Sequence, residues 1–216
     1  MIRIIVGPQR ELFKVHKSIL LKEMPTALGK ESTFFEGCLK HDFKETRQNE
    51  ITLADVMPEV FLLVVRWLYS DNMWDLGEPQ PFERQQLYIL FAAYILSDRL
   101  GIERLQNTIM DELHRIQQFE GYIVDLKDEA LDSDDLPELL EDYLLDSLVF
   151  QLEHCFNQKE VAKIAEEVLE AGGRRAVRIF QKIRRGADAT SPECGPACKY
   201  HQHDRTWPAY CPERDW

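Results

Sequence analysis

The sequence predicts an α+β domain followed by a helical extension and an irregular tail. Three observations carry that reading. Short apolar or alternating runs, bounded by turn residues, are confined to the first 53 positions. Segments with helical periodicity dominate from Pro58 onward. The order is strands and short helices first and helices later, with no repeating strand–helix–strand alternation, which favours α+β over a parallel α/β sheet. On this basis residues 1–118 form the α+β domain, 119–186 an acidic then basic helical extension, and 187–216 a tail containing cysteine and histidine.

Taken in order, Ile2 to Val6 and Leu12 to Val15 flank the turn signal Gly7-Pro8-Gln9-Arg10, which predicts a hairpin. Ile19, Leu20, Leu21 and Met24 then suit a short helix, halted around Pro25 and Gly29. Ser32 or Thr33 can cap a second helix carrying Phe34, Phe35, Cys38 and Leu39 inward. Glu50-Ile51-Thr52-Leu53 reads as another strand. Pro58 suits a first helical turn, where its missing N–H has no partner to lose. Val60, Phe61, Val64, Trp67 and Leu68 follow at helical spacing, and Asp71-Asn72 marks the exit.

Gly77 to Pro81 is a loop, since its prolines exclude regular structure. Gln85 to Leu100 is apolar enough to be buried on most sides, with Gly101 at the position after the helix that favours a left-handed residue. Leu105, Ile109, Leu113 and Ile116 give a third helix one apolar face between Glu103 and Gln117. From Asp125 to Asp146 acids crowd the chain, yet leucines run through them, which a disordered acidic tail would lack. Glu160 to Ala171 is amphipathic, and Arg174 to Arg185 is locally basic; their opposite charges suit them to lie together. Gly186 to Trp216 has no periodicity.

Composition excludes several function classes. There are 38 acidic residues against 26 basic ones, a formal charge of -12, which disfavours nucleic acid and anionic membranes. No apolar run is long enough to span a bilayer, and the N-terminus has no charged leader or small-residue cleavage site. Five cysteines, with Cys38 and Cys155 inside apolar periodic segments, fit a reducing compartment. These features predict an intracellular protein of the nucleus or cytoplasm. No glycine-rich phosphate loop or recognisable nucleophile setting is present, and the acids of 125–146 lack a calcium-loop pattern.

One set of residues points to a family. Phe13-Lys14-Val15-His16-Lys17, Ser32-Thr33-Phe34-Phe35, Phe43-Lys44-Glu45 and Leu53-Ala54-Asp55 stand in order in the first quarter. Pro58-Glu59-Val60-Phe61, Trp67-Leu68-Tyr69, Asp98-Arg99-Leu100-Gly101-Ile102 and Arg104-Leu105-Gln106-Asn107 follow. Together they resemble the BTB/POZ domain, in the stand-alone form abundant in filamentous fungi. The resemblance implies a small β-sheet flanked by helices, no catalysis, and a surface that binds other proteins.

Most of the matched residues read as scaffold. His16, at a strand-to-helix junction, is a hydrogen-bonded structural residue or, less simply, a ligand or base. Trp67 and Tyr69 read as core or core-edge aromatics sharing a face with Val60 and Val64. Phe43 and Glu45 are the exception. In the family a hydrophobic residue two positions before a glutamate looks like the contact by which adaptors dock a cullin ubiquitin-ligase scaffold. An exposed apolar anchor fills a pocket while the carboxylate fixes orientation. The competing reading packs Phe43 under its own helix and leaves Glu45 solvated. Two departures stand out. Lys22 to Lys30 is an insertion between helices the family joins tightly, and the chain starts directly at the first strand, which weighs against a strand-swapped homodimer and leaves a homodimer through another face.

The tail holds the only cluster with metal-ligand character: Cys194, Cys198, His201, His203 and Cys211. Any four of the five suffice for a tetrahedral Zn²⁺, and no other cofactor is expected. Alternatively the tail is polar, and docks through Trp207, Tyr210 and Trp216 or stays mobile. Two functional readings follow. One is a protein-interaction module serving as substrate adaptor for a cullin-type ligase. The other is a transcription-associated regulator that recruits corepressor and carries a zinc-stabilised tail.

Overall fold

The computed structural model describes residues 1–21, 34–40, 49–73, 84–120, 136–154 and 197–201, with positions 159, 161, 163, 166, 177 and 181 described singly as helical. The chain divides into two compact units, Met1–Ile109 and Met110–Trp216.

The first unit is built on a three-stranded sheet of order β2-β1-β3, from β1 (Ile2–Val6), β2 (Glu11–Val15) and β3 (Glu50–Leu53). β1 and β2 form the expected antiparallel hairpin, with Ile2 opposite Val15 and Val6 opposite Glu11. β3 lies parallel to β1, Ile4 beside Ile51, so the chain must cross over between them. That crossover includes α1 (Lys17–Leu20) and α2 (Phe34–Lys40). One sheet face carries Ile2, Ile4, Val6, Val15, Ile51 and Leu53, all buried, as strand alternation requires. Phe13 on the same face meets the Phe61 ring edge-on at 5.1 Å.

Gly7 starts the hairpin turn at φ 72°, and a Cβ there would lie 3.1 Å from the Val56 carbonyl oxygen and 3.2 Å from Pro58 Cδ. Both the left-handed backbone and the close approach demand glycine. α3 (Pro58–Ser70) begins with Pro58 in its first turn and ends at Asp71, whose φ of 55° closes it in the left-handed region. Its buried residues are Val60, Phe61, Leu63, Val64, Trp67 and Leu68.

Tyr69 departs from expectation: it is 45% exposed. At about 100° per residue, nine steps carry it to the side of the helix opposite Val60, so it cannot share that face. In α2 Phe35 and Leu39 are buried, whereas Phe34 and Cys38 are only half-buried.

α4 (Arg84–Leu100) packs against α3 and buries Leu87, Leu90, Phe91, Ala93, Tyr94, Leu96, Ser97 and Leu100, in line with its continuous apolar run. It ends in a Schellman motif. The Ile102 N–H reaches back to the Ser97 carbonyl (2.9 Å) and the Gly101 N–H to that of Asp98 (3.0 Å), with Gly101 at φ 70°. Arg99 pairs with Asp55, and that guanidinium holds the Asp55 carboxyl below its ordinary value.

α5 (Glu103–Glu120) contains the division between the two units. Leu105 and Ile109 are buried in the first, Leu113 and Ile116 in the second. In the second unit α6 (Glu138–His154) threads the acidic region and buries Leu140, Tyr143, Leu144, Leu145, Leu148 and Val149. Among the acids, Leu140, Leu144 and Leu145 are thus core residues. A 3-10 turn, Ala197–Tyr200, falls in the stretch read as irregular. The expected loop at 77–81 and most of the segments 160–171 and 174–185 lie outside the described residues.

Candidate functional site

The cullin-contact candidates, Phe43 and Glu45, lie in 41–48, outside the described residues. The residues on either side are well held. On the N-terminal side, His16 occupies the cap position of α1. Its backbone N–H donates to the Tyr69 hydroxyl at 3.1 Å, and its Nδ1 lies 2.7 Å from the same oxygen. The one hydroxyl thus engages both the backbone and the ring of His16. His16 therefore ties the β2–α1 junction to α3, the scaffold role that its position suggests, and this bond also accounts for the exposed Tyr69. Lys17 Nζ donates to the Leu39 carbonyl at 3.2 Å, holding α2 near its end, and Phe35 and Leu39 are buried. On the C-terminal side, Asn49 sits at φ 49° and its carbonyl accepts the Arg3 N–H at 2.9 Å. Next to it, the Arg3 guanidinium pairs with Glu50. The described residues that flank 41–48, Leu39 before it and Asn49 and Glu50 after it, are thus held to α1 and to β1.

A second constellation lies in the C-terminal unit. His114 on α5 stacks on Tyr143 of α6, with ring centroids 5.0 Å apart and planes at 28°. Tyr200 completes the cluster, 5.6 Å from His114 and edge-on to Tyr143 at 5.2 Å. The Tyr200 hydroxyl donates to Asp146 Oδ2 at 2.7 Å, and Lys199 Nζ reaches the same oxygen at 2.7 Å while lying over the Tyr200 ring. Gln117 Oε1 accepts from the Tyr143 hydroxyl and, at 3.3 Å, from Ser147 Oγ. His201 Nε2 lies 2.9 Å from Asp111 Oδ1, with the imidazole only 4% exposed.

Of the five metal-ligand candidates, only Cys198 and His201 fall within the described residues. Cys194, His203 and Cys211 lie outside the described residues, as do Trp207, Tyr210 and Trp216. Cys198 is placed by its backbone in the 3-10 turn. His201 faces a carboxylate, and no group of three or more His, Cys, Asp or Glu side chains with metal-binding geometry occurs among the described residues. Sequence reasoning passed over Tyr200, His114, Tyr143, Gln117 and Asp146. The available signal was faint: His114 and Gln117 are one turn apart on α5, and Tyr143 and Ser147 one turn apart on α6, polar groups at positions an apolar stripe would fill.

Residues 2–115 match the family model described as the BTB/POZ domain. The chain belongs to the BTB/POZ family. The match runs from β1 into α5 and takes in the sheet, the His16–Tyr69 junction and the stretch bearing Phe43 and Glu45. A BTB domain is a protein–protein interaction module, a role the α+β architecture accommodates, and such domains often dimerise. The relevant chemistry is therefore that of surfaces. Among the described residues, no helix is long and apolar enough to cross a membrane.

Proposed function

We propose that this BTB protein is a non-catalytic adaptor that docks a cullin-type ubiquitin-ligase scaffold through Phe43 and Glu45 and holds a client with its C-terminal unit. The observation that carries the reading is the placement of a hydrophobic residue and a carboxylate, two positions apart, in the connection between α2 and β3 of a BTB domain. An apolar anchor beside a carboxylate is the chemistry of a small hot spot, the ring filling a pocket and the carboxylate fixing orientation. The test is capture of the full chain by the N-terminal region of a cullin, beside a Phe43→Ala/Glu45→Ala variant shown to be folded by circular dichroism. Capture by the wild type alone supports the proposal; no capture by either removes it.

The second reading, a regulator that recruits corepressor and carries a zinc-stabilised tail, draws on His201. With its Nε2 turned to Asp111 and its ring buried, the remaining candidates are Cys194, Cys198, His203 and Cys211, three thiolates and one imidazole, a set suited to structural zinc. Elemental analysis of protein purified without chelator should find about one zinc per chain. Zinc should persist in His201→Ala and be lost in Cys194→Ser/Cys211→Ser. A zinc-free wild type would end this reading and leave the adaptor reading intact. The charge of -12 weighs against direct DNA contact in either case.

A further inference from the structure

The α5–α6 constellation is costly as plain packing. Of the buried polar residues among those described, His114, Gln117, Ser147 and His201 all belong to this unit. Burying polar groups is unfavourable unless each finds a partner, and an apolar contact would hold a tail turn more simply. Gln117 and Ser147 are satisfied with Tyr143 on the two helices, while Asp146, Asp111 and the His114 ring meet one short segment, 199–201. Tyr200, 2% exposed, fills the aromatic slot formed by His114 and Tyr143. Lys199 and His201 on either side meet Asp146 and Asp111, so positive or positively chargeable groups oppose acids. The rim stays open to solvent: Lys199 is 58% exposed and Asp111 50%. A buried aromatic anchor with a partly solvated charged rim is the anatomy of a recognition hot spot.

We propose that the α5–α6 face bearing Asp111, His114, Tyr143 and Asp146 is a docking site for a peptide with a tyrosine between basic residues, and that Lys199-Tyr200-His201 is the chain's own occupant. The chemistry of the expected partner is read from the segment seated there. The aromatic slot takes the ring, Asp146 accepts hydrogen bonds from the phenol and a neighbouring ammonium, and Asp111 takes a second basic group. A client segment of that composition competes with the tail, so the tail sets a threshold for binding. The inference deepens the reading of the C-terminal unit as the client-holding part, and its test contains no cullin, so either idea can fail without the other.

The experiment uses the full chain and a fluorescein-labelled peptide copying residues 195–204 with serine in place of Cys198. Lys199→Ala/Tyr200→Ala/His201→Ala empties the site. A tethered segment competes at an effective concentration of about a millimolar, so fluorescence anisotropy should show the peptide binding the emptied protein at least about tenfold more tightly than the wild type. Asp146→Asn in the emptied background should erase most of the gain, as should alanine for tyrosine in the peptide. No binding to an emptied protein that keeps its cooperative melt would overturn the proposal, as would equal binding of the alanine peptide. Should the triple variant lose that melt, Lys199→Ala/His201→Ala carries the test with the ring retained. It must bind the peptide more tightly than the wild type, and equal binding overturns the proposal.

Discussion

Burial, reinforced by the hydrogen bond to Asp146, raises the Tyr200 hydroxyl well above its ordinary pKa of 10.0. The phenol therefore stays protonated in the folded chain and remains a donor to that carboxylate. The folded value exceeds the unfolded one, so this contribution to stability is complete below pH 10.0 and is lost as pH rises above it, when the unfolded chain ionises first. Tyr200→Phe keeps the ring between His114 and Tyr143 and removes only the hydroxyl. It should cost about 1.5 kcal/mol near neutral pH, the low end for a hydrogen bond to a charged group, because Lys199 still engages Asp146. It should also flatten the alkaline fall in stability. Urea unfolding at neutral pH and above pH 10.0 checks both expectations.

At the scale of elements, legibility followed the strength of the periodic signal. β1, β2 and β3 were legible because alternation and the Gly7 turn agree, and α3 because proline and an apolar stripe mark it. Tyr69 was misplaced by assigning it to the face of Val60 and Val64, from which helical geometry turns it away. The Ala197–Tyr200 turn was illegible because a single turn has no period, and its stability comes from Asp146, His114 and Tyr143, more than fifty positions away in the first case. The Phe43 and Glu45 motif was legible only through family resemblance, since three residues carry no physical signal of a partner. Gly7 tests the reading of the hairpin directly. Gly7→Ala should destabilise the first unit by about 1–3 kcal/mol, because it meets both a left-handed backbone and the Val56 carbonyl. A shifted urea midpoint with an unchanged slope is the expected result.

For the whole molecule, the chain divides into two compact units, Met1–Ile109 and Met110–Trp216, and the BTB match covers residues 2–115. The order of strands and helices made the fold class legible, and the leucines threaded through the acids made the second unit legible as folded. Neither feature names a partner, because partner choice rests on a few surface side chains that periodicity does not see. The measurement that bears most directly on the adaptor account is calorimetric titration of a cullin N-terminal region into the purified full chain, its Phe43→Ala variant and its Glu45→Ala variant. The account predicts saturable binding by the wild type and a loss of about 2 kcal/mol or more in the Phe43→Ala variant, as for a hot-spot anchor, with a smaller loss for Glu45→Ala. Binding that both variants retain at wild-type strength, or no heat from the wild type at all, would contradict it.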